Sequence, residues 1–104
     1  MRVLLIDDIR NIPADQTARS YQAAIDALKQ ECWDNVLLDH DLADFDESGK
    51  EWTGYHILCW LEQNTQYIPK NITLITMNPV ARKKMNQVLV KLYPDALYNF
   101  TYFT

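Results

Sequence analysis

Glycine is nearly missing from this chain, with two in 104 residues. That leaves no room for the glycine-rich phosphate loop of P-loop proteins or the G-x-G-x-x-G turn of dinucleotide-binding domains, and neither a nucleophile elbow nor an HExxH pair occurs. Hydride transfer and P-loop nucleotide hydrolysis are poor fits. Cysteine is equally scarce. Cys32 and Cys59 have no C-x-x-C or metal spacing and lie in or near helical apolar patterns, so both are expected to be reduced, mostly buried thiols. Basic charge is short, ten Lys and Arg against fourteen Asp and Glu, for a net charge of −4. Non-specific binding to a DNA backbone, which needs a basic field, is not expected. Nor is there an apolar run near the roughly 18 residues of a membrane span, or a secretory leader after Arg2. The expectation is a cytoplasmic protein with no membrane contact.

What is present is ordinary for a globular protein: 48% apolar and 23% charged residues. No repeat or linker divides it, so residues 1–104 are read as a single domain. Short apolar runs predict strands over residues 2–7, 17–19, 35–39, 72–77 and 97–103. Helical periodicity predicts helices over 20–30, 53–64 and 79–93, the last opened by Asn78 as N-cap and Pro79 in the first turn. This alternation predicts an α/β fold with a five-stranded parallel sheet of order 2-1-3-4-5. The first crossover is too short for a full helix, and a last helix is absent. Right-handed crossovers put the three helices on one face. The strands are apolar on both faces, so the uncovered sheet face is expected to pack against a second subunit in a homodimer. The alternative is a lid formed by the loop at 8–16 with Tyr98, Phe100 and Tyr102.

The candidate chemistry lies at strand ends. Asp7 and Asp8 close the first strand and Asp39 the third, so three carboxylates converge on the crevice where such sheets bind ligands. Two like charges about 4 Å apart repel by about 4 kcal/mol at an effective dielectric of about 20. A divalent ion or a shared proton relieves this. His40 and Asp41 follow directly, and a histidine between two carboxylates suits an acid role toward a leaving oxygen. Thr76 and Asn78 stand where the fourth strand meets a helix, whose free backbone N–H groups would make an anion site. Arg82 in its first turn is the expected phosphate clamp and Arg10 a second cation over the crevice, while Lys83 and Lys84 suit a solvated face. Residues 44–49 match half of a calcium loop, but Tyr55 stands where its bidentate Glu belongs, so a flexible acidic flap is expected there. His56 and Trp52 either face the site or serve packing.

Four segments together resemble one family: Asp7-Asp8-x-Arg10-x-x-Pro13, Leu38-Asp39-His40-Asp41-Leu42, Thr53-Gly54-Tyr55 with Trp60-Leu61, and Asn78-Pro79-Val80-Ala81-Arg82 with Met85. Their order is similar to response-regulator receiver domains, most closely the divergent cyclic-phosphate processing receiver domains. The resemblance implies a receiver-like, flavodoxin-like fold. In receivers the acidic pair holds Mg²⁺ and the position of Asp39 accepts a phosphoryl group. The lysine that receivers place after the fifth strand is missing, since residues 98–102 read Tyr-Asn-Phe-Thr-Tyr. The leading expectation is a metal-dependent phosphoesterase acting on a cyclic phosphate, at an RNA 2′,3′ end or in a cyclic nucleotide. Asp7, Asp8 and Asp39 would hold Mg²⁺ or Mn²⁺. Asp39, His40 and Asp41 would carry catalysis, and Arg10, Thr76, Asn78 and Arg82 would bind the phosphate. A non-catalytic module binding a phosphorylated ligand or a protein partner is the alternative, and an orthodox phosphoacceptor the third.

Overall fold

Alternation along each strand decides which residues face which layer. In the computed structural model, which describes residues 1–94, the strands β1 (Val3–Ile6), β2 (Gln16–Ala18), β3 (Asn35–Leu38) and β6 (Ile72–Leu74) form one parallel sheet in the order β2-β1-β3-β6. Leu5 of β1 lies opposite Thr17 of β2 and Leu37 of β3, and Leu37 lies opposite Thr73 of β6. These are the first four places of the expected order. The fifth strand, at 97–103, and its aromatics lie outside the described residues.

The helices α1 (Tyr21–Gln30), α2 (Gly54–Gln63) and α3 (Pro79–Leu92) begin where the sequence predicts. Ser20 caps α1 by accepting from Ala23 N, and Asn78 caps α3 by accepting from Val80 N and Ala81 N. One core joins all three helices to Leu4, Ile6, Val36, Leu38, Ile72 and Leu74, which share one sheet face. Trp33 is fully buried in it, and its indole N–H donates to the Ala27 carbonyl at 2.8 Å.

The opposite face carries Leu5, Leu37 and Ile75, and it is closed within the chain. All three are buried, with Val3, Ile12 and Ala14 packed on them. The uncovered sheet face behind the expected homodimer is therefore not found among the described residues. The segment 7–15 that covers it contains no helix, so the shortened first helix is in fact an extended lid. It is pinned by Asp15, whose N–H donates to Val3 O and whose Oδ2 accepts from Val3 N.

Two further expectations change. The acidic flap contains a small antiparallel hairpin, β4 (Asp44–Phe45) with β5 (Glu51–Trp52). Asp46 Oδ1 accepts from Ser48 N, Ser48 Oγ and Lys50 N, closing the turn. The cysteines are free, but Cys32 lies exposed beyond the end of α1, and Cys59 is half-buried in α2. No helix among the described residues is long and apolar enough to cross a membrane.

Candidate metal and phosphate site

The strands end in register, so the residues that follow them meet. Asp39 N–H donates to Ile6 O, and Ile75 N–H to Leu38 O, which extends the ladder past β1, β3 and β6. Asp7, Asp8 and Asp39 each offer a carboxylate oxygen, and these oxygens lie within 4.8 Å of one another. Asp7 is fully buried and Asp39 nearly so, while Asp8 is half-exposed.

Asp7 is held on every side. Its Oδ1 accepts from Ile9 N and Arg10 N at 2.9 and 3.0 Å, and its Oδ2 from Arg10 Nη1 at 3.1 Å. The same Arg10 Nη1 donates to Ile75 O at 3.0 Å and stands 3.7 Å from Asp39 Oδ1. Arg10 is thus inside the acidic cluster as its counter-charge, tying β1 to β6 across Asp39. Burial first, and then the negative charge of Asp7, push the Asp39 carboxyl above the ordinary carboxylate range; the His40 N–H at 2.8 Å and Arg10 oppose this.

Arg19 is, by sequence, only the last residue of the predicted second strand. It fastens the loop that carries Arg10. Its Nη1 donates to Arg10 O at 2.7 Å and Asp7 O at 3.2 Å, and its Nη2 to Asn11 Oδ1 at 2.8 Å. The available signal was topological: β2 lies beside β1, so an arginine just after β2 falls beside Asp7.

His40 is half-buried, and its Nδ1 lies 2.8 Å from Asp41 Oδ1. Against a carboxylate acceptor Nδ1 carries the proton, which leaves Nε2 as the working atom. The close approach of α2 fixes this segment. Gly54 N–H donates to His40 O at 2.8 Å, and a Cβ at Gly54 would collide with the Asp39 carbonyl oxygen. Only glycine fits there.

The phosphate-side residues divide. Thr76 is buried one residue beyond the carbonyl that Arg10 holds, and its Oγ accepts from Asn78 N at 3.2 Å. The amino end of α3 does not offer the free N–H groups expected of it. Pro79 has none, Val80 and Ala81 donate to Asn78 Oδ1, and Arg82 N donates to Asn78 O. Of the residues expected to bind phosphate here, Asn78 is spent on the helix cap and Arg82 lies half-buried in the same first turn. The half calcium loop is spent on structure: Asp46 closes the hairpin turn, and Asp44 Oδ2 accepts from Tyr21 N at 2.9 Å. His56 is a cap, its Nδ1 accepting from Thr53 N at 3.0 Å.

A divalent ion fits the acidic cluster. Oxygens about 2.1 Å from Mg²⁺ in octahedral coordination stand roughly 3–4 Å apart, and each of the three aspartates offers one oxygen within 4.8 Å of the others. Asp8 supplies an accessible carboxylate, and the buried Asp39 carboxyl lacks full compensation.

A parallel α/β sheet of this order, with an acidic pair after β1, an aspartate after β3 and a threonine beyond β6, is the receiver class of domain. The sequence pattern of the cyclic-phosphate processing receiver domain matches residues 2–91, and the chain belongs to that family. No curated protein matches it.

Proposed function

We propose that the protein is a phosphoesterase that opens a cyclic phosphate, at an RNA 2′,3′ end or in a cyclic nucleotide. The observation that carries this reading is the convergence of Asp7, Asp8 and Asp39 oxygens within 4.8 Å beside the His40–Asp41 pair. Asp7, Asp8 and Asp39 would hold Mg²⁺ or Mn²⁺, and the bound ion would supply Lewis-acid polarisation of the phosphoryl oxygens and of water.

In ring opening, water adds to phosphorus and one P–O ester bond breaks, leaving a monoester and an alcohol. The attacking water loses a proton and the departing alkoxide gains one. His40 Nε2 faces one of these transfers, while Asp41 holds Nδ1–H and steadies the imidazolium when it forms. Thr76, Asn78 and Arg82 bind the phosphate oxygens. Arg10 stays with Asp7 and Asp39, where its charge lowers the cost of gathering carboxylates and extends to a bound phosphate.

Loss of His40 in His40→Ala should lower turnover of a cyclic nucleotide by about 10²–10⁴-fold, and Asp39→Ala should abolish the metal-dependent turnover. Wild-type rates from either variant reject the mechanism. A second reading is a module that binds a phosphorylated ligand without turnover. Arg10 favours it, because a built-in guanidinium lets the cluster stand without an ion. That reading requires binding with no product under any metal.

A further inference from the structure

Each helix follows a parallel strand, so the amino ends of α1, α2 and α3 lie on the sheet rim that carries the acidic cluster. Their first turns and the hairpin bring together aromatic side chains that the proposed reaction does not use. Tyr21 opens α1, Trp52 ends β5, and Tyr55 and His56 lie in the first turn of α2. The Tyr21 and Trp52 ring centres are 4.7 Å apart. Trp52 meets His56 edge-on at 5.4 Å, and His56 meets Tyr55 edge-on at 6.0 Å. Four rings form one strip. It adjoins the site, because Gly54, between Trp52 and Tyr55, is bonded to His40 and pressed on the Asp39 backbone.

Packing explains why Trp52 sits on Tyr21. It does not explain the lysines. Lys50 Nζ stands 4.5 Å from the centre of the Trp52 ring, and Lys84 Nζ 4.0 Å from that of Tyr55. Both lysines are exposed, so these ring faces are roofed by hydrated, easily displaced chains. Burial, followed by the charges of Lys50, Lys84 and His40, pushes the His56 imidazole below its ordinary value, which agrees with one shared surface. Rings interleaved with ammonium groups suit a ligand with a flat π-face and a phosphate. The net charge of −4 limits such attraction to this local patch, one nucleotide rather than a long strand.

We propose that the strip of Tyr21, Trp52, His56 and Tyr55, roofed by Lys50 and Lys84, is a nucleobase subsite. The cyclic phosphate at Asp39 and His40 then belongs to a nucleotide or to the last nucleotide of an RNA, not to a base-free alcohol. The placement of the phosphate rests on the phosphoesterase reading; the stacking does not.

The test follows the indole N–H signals of Trp33, Trp52 and Trp60 by NMR on the full chain. Adenosine 2′,3′-cyclic phosphate and the base-free glycerol 1,2-cyclic phosphate are titrated first in EDTA and then with Mg²⁺. The nucleotide should move the Trp52 signal, leave that of buried Trp33 in place, and bind at least about tenfold more tightly than the glycerol compound. Tyr55→Ala should weaken the nucleotide by about 5- to 100-fold and leave the glycerol compound unaffected. Trp52→Phe, which keeps a ring against Tyr21, should retain part of the affinity. Equal binding of the two compounds, binding of neither, or nucleotide binding indifferent to Tyr55→Ala overturns the subsite, whatever turnover shows. Nucleotide stacking in EDTA with no turnover once Mg²⁺ or Mn²⁺ is added upholds the subsite and removes the esterase.

Discussion

Burial and the neighbouring Asp7 both disfavour the ionised form of Asp39. Its carboxyl titrates above the ordinary range, first because it is buried and then because Asp7 is beside it. In the ion-free protein the folded state therefore keeps this proton to higher pH than the unfolded state does. Stability is greatest below the unfolded carboxyl range and falls as pH rises through the folded one. In EDTA, Asp39→Asn should melt above wild type at pH 7, with the difference vanishing near pH 3. A variant melting lower at pH 7 would contradict the assignment of strain to this carboxyl. The three aspartates were legible because apolar runs ending in carboxylates mark strand ends, and parallel strands must bring those ends together. Arg19 was not, because it binds carbonyls of a loop whose path no local pattern encodes. Arg19→Ala should weaken Mn²⁺ binding by about 10- to 100-fold, measured by calorimetry, with Arg19→Lys partly restoring it. Unchanged affinity would reduce Arg19 to a surface contact.

At the level of elements, α2 is seated by two small features that also set the Asp39–His40 backbone. Gly54 admits no Cβ beside the Asp39 carbonyl, so Gly54→Ala should cost about 1–3 kcal/mol or more, read as a shift in the urea midpoint. An unchanged midpoint would mean that α2 is free to back away. His56 accepts the Thr53 N–H, which requires an unprotonated Nδ1, and its pKa lies below the usual 6.5. The unfolded chain takes up this proton first. The contribution is complete above the unfolded value and is lost as pH falls through the folded one. His56→Gln keeps an acceptor at the same position, so melts at pH 7.5 and 5 should show a smaller acid loss in the variant than in wild type. The three helices were legible from caps and periodicity, since Ser20, Thr53 and Asn78 stand where each begins. The hairpin was not. Its strands are two residues each, and its turn is made by one carboxylate accepting three hydrogen bonds.

For the whole molecule, the layout follows from strands that are apolar on both faces. Helices cover one face because parallel crossovers are right-handed, and the lid at 7–15 covers the other. The sequence indicated that both faces are buried. It offered the loop at 8–16, with aromatics at 98–102, only as the alternative to a homodimer, because Ile12 and Ala14 carry no periodic signal that marks them as the cover. Half-buried Ile12 should lose about 1–2 kcal/mol on Ile12→Ala, toward the low end for apolar truncations. The lid then has a second duty, since it also carries Arg10 into the carboxylate cluster. Covering the sheet and neutralising the site are done by one loop, so loosening Ile12 should also raise the Mn²⁺ concentration needed for half-saturation. A loss of stability with no change in that concentration would separate the two duties.

The measurement that most directly tests the central claim is phosphorus-31 NMR of adenosine 2′,3′-cyclic phosphate and an RNA ending in a cyclic phosphate. The purified wild-type chain is added with Mg²⁺, with Mn²⁺ or with EDTA. The account predicts that the cyclic resonance gives way to a monoester resonance with either metal and persists in EDTA. A cyclic signal that survives under every metal, or that disappears equally fast in EDTA, would contradict it.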